Sequence, residues 1–296
     1  MNSSSNQPLR LAYVSGGFPV WALFVAQSQG LFEAHGVQCN ITHTGSSTVQ
    51  MQGLSEGRFD VGLQLPDHVV RAGLNGTPLC VLAAQSHAPD VALVASSIIR
   101  TLAELKGHRI AVDGARSGYA LLLVKLLSSM GWQSSDYQLV EVGDSQQRVQ
   151  AMRSGEFMAS FINPPLDKAL VNDGFVRLTT TRQAFPSYPG PVVAARRDWA
   201  DAHPNMAKGF QLAWLDAWQW LLNPSNESQA IEIALQHLGA EAPAAQNALQ
   251  NLQRQGLPHI SEEGMGQVIS LVWGNESVGQ KPMPEPGSYF WPSTKI

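Results

Sequence analysis

Short apolar runs alternate with helical patterns over the first third of the chain. Residues 11–14, 37–42, 59–65 and 79–85 read as strands. Residues at helical spacing predict helices at 20–29, at a segment that begins at residue 47, and at 67–74. Gly30 is expected to end the first of these helices. Strands that alternate with helices predict an α/β lobe with a parallel sheet.

A second series of the same kind begins near Val91. The predicted strands are 109–113, 137–142, 158–162 and 175–179, and the predicted helices are 117–130, 144–154 and 168–172. Two capping boxes mark helix starts, Ser47 with Gln50 and Asp144 with Gln147. The chain therefore contains a second α/β lobe.

The last hundred residues are helical in pattern. An apolar face is formed at helical spacing by Phe210, Trp214, Ala217, Trp218 and Leu221, and further helices are predicted at 227–238, 242–255 and 262–273. The segment 282–292 carries four prolines, which predicts an extended tail on the surface.

Composition narrows the class of protein. The 296 residues are 44% hydrophobic and 14% charged, with a net charge of −4. Charge-driven disorder is excluded, and an acidic chain without a Lys/Arg run predicts no nucleic-acid partner. Two cysteines, Cys39 and Cys80, are too few for a disulfide framework or a structural zinc site. No cofactor and no metal are expected.

The polar start, MNSSSNQPLR, lacks the basic-then-apolar pattern of a signal peptide. The expected location is periplasmic if a leader is missing from this sequence, and cytoplasmic otherwise. No stretch approaches the roughly 18 apolar residues of a membrane span.

Four motifs in order carry a family resemblance. They are GLFEAHGV at 30–37, GSST at 45–48, GLSEGRFDVG at 53–62 and LAELKGHRIAV at 102–112. The chain resembles the NMT1/THI5-like and SsuA-like periplasmic binding proteins. This resemblance implies a type II periplasmic-binding-protein fold, with two α/β lobes, an interlobe cleft and two crossover segments. It also implies a solute receptor that captures a small organic anion, such as a sulfonate or carboxylate, for an ABC-type importer.

The crossovers are predicted at 88–96 and 188–195, where extended segments are flanked by proline. Residues 1–90 and 191–296 then form one lobe, and residues 91–190 form the other. The expected partners are a small-molecule ligand and ABC permease subunits, and the expected state is a monomer.

Ligands of open α/β sheets bind at the carboxyl ends of strands. The loops at these ends supply the candidate ligand-binding residues, which are Gly17, Phe18, Trp21, Ser46, Ser47, Pro66, Asp67, His68, Arg116, Ser117 and Asn163. Arg116 is the main candidate for clamping an acid group, because its planar fork matches a carboxylate or sulfonate.

Several of these candidates have a structural alternative. Arg116 is either that clamp or a surface partner of Asp113 or Asp144. Ser47 is either a ligand contact or a plain helix cap, and Trp21 is either an aromatic wall or core.

An enzyme of the same fold is the alternative function. A decarboxylase, desulfinase or hydratase acting on a small acid, aromatic acids included, needs only His43, His68, Asp67 and Arg116 to converge. The iron-binding cysteine motif of the thiamine-pyrimidine synthases is absent, and so is the thiol of the sulfinate desulfinases in the first loop. With no HExxH, GxSxG or P-loop motif either, the sequence favours a binding protein and assigns no catalytic residue.

Overall fold

The computed structural model describes residues 7–14, 16–115, 117–276 and 281–292. The chain divides into two compact units, Met1–His87 with Pro189–Ile269 and Val278–Ile296, and Ala88–Tyr188 with Ser270–Ser277. The segment Ser270–Ser277, which the sequence analysis includes in the first lobe, is grouped with the second unit. There Leu271 packs against Leu121 and Leu122.

Strands and helices alternate as the sequence pattern predicts. The strands are β1 (Leu9–Tyr13), β2 (Cys39–His43), β3 (Val61–Gln64), β4 (Leu79–Ala84), β5 (Ala92–Ala95), β6 (Arg109–Val112), β7 (Gln138–Glu141), β8 (Ala159–Ile162), β9 (Val176–Thr180) and β10 (Val192–Arg196). The helices are α1 (Trp21–Ser28), α2 (Leu31–Ala34), α3 (Ser47–Ser55), α4 (Pro66–Leu74), α5 (Gly118–Ser129), α6 (Ser145–Arg153), α7 (Leu166–Asn172), α8 (Thr181–Ala184), α9 (Arg197–Ala202), α10 (Pro204–Leu222), α11 (Glu227–Leu238), α12 (Ala242–Gln255) and α13 (Glu262–Trp273).

The sheet of the first unit has the order β2-β1-β3-β10-β4. Strand β1 is parallel to β2 and β3, whereas β10 is antiparallel to both β3 and β4. The four strands from which the sequence predicts a parallel sheet do run in the same direction, but the sheet is mixed, because the distant apolar segment β10 inserts between the sequential strands β3 and β4. Four strands still point their carboxyl ends to one edge, where the loops lie.

Helix α10 provides much of the core of this unit. Phe210, Trp214 and Trp218 lie on its buried face, as the helical spacing predicts. The Trp214 Nε1 donates a hydrogen bond to the Ala84 carbonyl at 2.9 Å, which joins α10 to the end of β4. The tryptophans are thus core residues.

The sheet of the second unit repeats this plan with the order β7-β6-β8-β5-β9. Strand β5 is antiparallel to β8 and β9, and the other four strands run together. The segments predicted as crossovers contain β5 and all but the last residue of β10, the two antiparallel strands. An α/β fold of two lobes is confirmed.

The proline-rich segment 282–292 is not an extended surface tail. Residues Pro286–Tyr289 form a 3-10 helix, and Phe290 makes a parallel bridge with Val81 of β4. Tyr289 and Trp291 are buried. Burial of these two large aromatic side chains favours packing of the segment against the rest of the unit, although the segment contains four prolines. Within the described parts of the chain, no helix is both long and apolar enough to span a membrane.

Candidate functional site

Helix α3 begins at the carboxyl end of β2. Ser46 is its N-cap, and the Ser46 side chain accepts a hydrogen bond from the Val49 backbone at 3.4 Å. Ser47 is the first helical residue. The predicted capping box between Ser47 and Gln50 is wrong, because the Gln50 side chain points into the unit and not back to the helix start.

Gln50 and Gln64 form a buried amide pair at the end of β3. Gln50 is 0% and Gln64 is 4% exposed. The Gln50 Nε2 donates to the Leu63 carbonyl at 2.9 Å and to the Gln64 Oε1 at 3.4 Å. Gly62 permits this arrangement, since a Cβ there would lie 3.1 Å from the Gln50 amide nitrogen.

Pro66, Asp67 and His68 form the first turn of α4, directly after β3. Asp67 is buried, and its Oδ2 accepts a 2.8 Å bond from Arg71 Nη1, one helical turn further on. His68 is half-buried. The structure thus brings these three candidates to the same edge of the sheet as Ser46.

The two aromatic candidates of the first loop, Phe18 and Trp21, lie in different environments. Gly17 has a φ of 86°, which favours glycine, and it precedes the 3-10 helix Phe18–Val20. Phe18 is half-buried, with its ring 5.4 Å from that of Trp21. Trp21 is 0% exposed and donates from its Nε1 to the Ala230 carbonyl at 3.1 Å. Trp21 is therefore a core residue, and Phe18 alone remains as a candidate contact.

Arg148, which the sequence analysis did not select, is the charged residue of interest in the second unit. It lies in the first half of α6, is 5% exposed, and donates to the Gly143 carbonyl, to the Ser145 Oγ at 3.0 Å and to the Phe161 carbonyl at 3.2 Å. Burial lowers its pKa, and the charges of Asp113 and Asp144 oppose that shift. Among the described residues it forms no ion pair, and its Nε has no hydrogen-bond partner.

A small cavity lies beside this guanidinium. It is a shallow, half-open depression whose empty space of about 190 Å³ includes open solvent, and its lining includes Val112, Asp113, Tyr119, Arg148, Ser160 and Phe161. Asp113 is exposed and accepts a hydrogen bond from the Ser117 hydroxyl. The interior therefore presents a buried cation, while the carboxylate is exposed to water.

Two predicted residues of the second unit take structural positions near this cavity. Ser117 is the N-cap of α5 and accepts from the Ala120 backbone at 3.0 Å. Asn163 follows β8, and its Nδ2 donates to the Ser145 Oγ at 3.1 Å, the hydroxyl that Arg148 also contacts. Arg116 lies outside the described residues.

Arg148 could have been found in the sequence. It lies four residues after the cap Asp144 and four before Met152, on the face that also buries Val149. A charged residue is rarely buried on an apolar helical face unless it forms compensating interactions or has a functional role. Gln50 and Gln64 carried no such signal, because a glutamine in a helix or at a strand end is ordinary.

The thiols and acidic groups do not resemble a reactive centre. Burial raises the pKa of Cys39 and of Cys80 to about 12, so both thiols are protonated at neutral pH. His43 stacks on Tyr13 with its Nε2 3.0 Å from the Val14 carbonyl, and Asp67 pairs with Arg71. In the parts of the chain that the structure covers, no group of three His, Cys, Asp or Glu side chains could hold a metal.

Comparisons with known proteins place this geometry in context. The model of the NMT1-like family matches residues 4–235. A protein of Escherichia coli (strain K12), named provisionally as an aliphatic sulfonates-binding protein, is 25% identical over 286 residues, which covers 94% of this chain and 87% of that protein.

Two solved structures are similar over almost their whole length. The periplasmic aliphatic sulphonate binding protein SsuA from Escherichia coli has a TM-score of 0.76 at 20% identity, covering 96% of this chain and 97% of that one. The alkanesulfonate-binding protein SsuA from Xanthomonas axonopodis pv. citri, bound to MOPS, has a TM-score of 0.69 at 19% identity, covering 96% and 98%. These likenesses show the fold.

Proposed function

This chain belongs to the NMT1-like family, and from that membership we propose that it is a solute-binding protein that captures a small organic anion for an ABC-type importer. The observation that carries the anion assignment is Arg148, a buried guanidinium beside a cavity with no ion pair among the described residues. A buried charge that forms no ion pair is costly. Asp113 and Asp144 act on Arg148 without such a contact among the described residues, and an arriving acid group would supply it.

The expected contribution of Arg148 follows from its chemistry. A hydrogen bond to a charged group is worth roughly 1.5–3 kcal/mol, which corresponds to about a 10- to 150-fold change in affinity. The buried setting favours the upper part of this range, since water screens the interaction less there.

The names of the relatives support the transport role. Relatives and structural neighbours are named as binding proteins for aliphatic sulfonates. The same proposal includes a periplasmic location, permease subunits as partners and a monomeric state. It also includes one lobe formed by residues 1–90 and 191–296 and a second lobe formed by residues 91–190. The compact units support the lobes, apart from Ser270–Ser277.

The enzyme alternative finds no support in the described contacts. His43 and Asp67 are engaged with different partners, Tyr13 and Arg71, and both thiols are protonated. We therefore assign binding without chemical change to the solute.

Calorimetry and thermal shift on the full chain test the proposal. The panel holds alkanesulfonates, aromatic carboxylates, nitrate and thiamine-pyrimidine compounds. A true ligand at 100 times its Kd stabilises the protein by about 2.7 kcal/mol. Arg148→Gln should weaken binding of that ligand about 10- to 150-fold, and Arg148→Lys should restore only part of the loss.

Arg153→Gln is the matched control. Arg153 ends the same helix, but it is exposed and pairs with Asp173. Its replacement should leave the affinity unchanged. Equal affinities of wild type and a folded Arg148→Gln variant would remove the basis of the anion assignment, and a panel without any ligand would refute the solute-binding role.

A further inference from the structure

Neutral groups hold the Arg148 guanidinium in place. Its Nη1 donates to the Gly143 carbonyl, and its Nη2 donates to the Ser145 Oγ at 3.0 Å and to the Phe161 carbonyl at 3.2 Å. A guanidinium has five N–H groups, and these three bonds leave the Nε–H and one Nη1–H without a partner among the described residues. Uncharged acceptors orient the guanidinium without cancelling its positive charge.

Ser145 lies at the centre of this arrangement. Its Oγ also accepts a hydrogen bond from the Asn163 Nδ2 at 3.1 Å. A guanidinium only donates, so the Ser145 oxygen is the acceptor toward Arg148, and its two lone pairs serve two such bonds. Asn163 directly follows β8, and Phe161 lies within β8. Both hydrogen bonds of the Arg148 Nη2 are therefore anchored at the carboxyl end of the same strand.

The start of α6 does not depend on the Ser145 hydroxyl. Asp144 is the N-cap of this helix, and it forms a complete capping box with Gln147. Within the described part of the chain, the Ser145 hydroxyl bonds only to Arg148 and Asn163. The hydroxyl thus serves the guanidinium and not the cap of the helix.

An ordered guanidinium favours binding. An arginine side chain has many rotamers, and the need to order it when a solute arrives lowers the affinity. Arg148 is buried and already ordered by its neutral acceptors. Without the Ser145 acceptor, the guanidinium is free to turn toward Asp113 or Asp144, whose charges already act on it.

We propose that Ser145 is a positioning residue of the anion site. It holds the Arg148 guanidinium in the orientation that leaves two N–H groups for the acid group of the solute, and it acts on the affinity through Arg148. This inference rests on the proposed function.

Calorimetry on the full-length protein tests the role of the hydroxyl. The probes are ethanesulfonate, benzoate and nitrate, and the probe that binds wild type most tightly is used with every variant. Residues in one hydrogen-bond network couple by about 2- to 150-fold in affinity, and Ser145→Ala should weaken binding about tenfold. Ser145→Thr keeps the hydroxyl and should stay within about threefold of wild type. Ser145→Val has the shape of threonine without the hydroxyl and should weaken binding about tenfold.

A control and a double variant separate positioning from a structural role. Ser154→Ala is the matched control, because Ser154 lies at the other end of α6 and donates to the Ala151 carbonyl at 2.9 Å. Its affinity should equal that of wild type. In an Arg148→Met background, Ser145→Ala should change the affinity by less than about twofold, because no guanidinium is left to position. A purely structural role would lower the affinity in both backgrounds.

The outcomes distinguish this inference from the proposed function. Wild-type affinity in a folded Ser145→Ala variant overturns the positioning role alone, and Ser145→Val carries the test if Ser145→Ala does not fold. A loss that persists undiminished in the Arg148→Met background, or that also occurs in Ser154→Ala, overturns it as well. If Arg148→Met binds no probe measurably, equal affinities of Ser145→Thr and Ser145→Val overturn it. Failure of every probe to bind wild type overturns the proposed capture of small anions, and the positioning role falls with it.

Discussion

Gly209 of α10 lies where two helices of the first unit approach each other closely. A Cβ at this position would be 2.6 Å from the His35 carbonyl oxygen and 3.0 Å from the Val37 Cγ2. His35 ends α2 within the 30–37 motif, and its Nε2 lies 2.6 Å from the Asp216 Oδ2 of α10. The motif is therefore held against α10 by contacts that depend on a glycine.

We expect Gly209→Ala to destabilise the protein. In an open helix, replacing glycine by alanine gains about 0.8–1 kcal/mol. Here the obstacle is a backbone oxygen, which cannot rotate away. The cost of forcing a methyl group into this packed site should therefore lie in the upper part of the usual range of about 1–3 kcal/mol, at about 2–3 kcal/mol. The net loss should be about 1–2 kcal/mol, with the unfolding midpoint in urea lowered and the slope unchanged.

Gly73→Ala is the matched control, because Gly73 is exposed on α4 and its nearest neighbour would be the Tyr289 hydroxyl at 3.9 Å. This variant should gain up to about 1 kcal/mol. Urea titrations followed by circular dichroism compare the two variants. A Gly209→Ala midpoint equal to or above that of wild type would refute the reasoning.

Two further predictions follow from the cap and the thiols. Ser46→Ala should lower the stability by about 1 kcal/mol through loss of the cap, whereas Ser47→Ala should change the stability by less than about 0.5 kcal/mol. Thermal denaturation of both variants measures the difference. Equal effects would contradict the assignment of Ser46 as the N-cap. Because burial raises the pKa of Cys39 and Cys80 to about 12, neither should react with a thiol reagent at pH 8 until the protein unfolds. The absorbance of the group released from the reagent measures this reaction. Fast labelling of the folded protein that is lost in Cys39→Ser would contradict the prediction, because it would show that the Cys39 thiol on β2 is accessible.

Features with local causes could be predicted from the sequence. The capping box of Asp144 and Gln147 is present, and α11, α12 and α13 have the predicted bounds. Gly30 adopts a left-handed φ of 64° after α1. Each of these depends on residues within a few positions of one another, so the signal and the structure it specifies lie in the same short segment.

Features with distant causes needed the tertiary structure. The insertion of β10 between β3 and β4 and the bridge from Phe290 to Val81 join segments that are more than a hundred residues apart. The candidate site is of this second kind. Whether a polar side chain is solvated or buried depends on which distant segments cover it. The sequence placed Asp67 and His68 at a strand end and gave a positional signal for Arg148, but only the folded chain showed that Arg148, Gln50 and Gln64 are buried with atoms left unpaired.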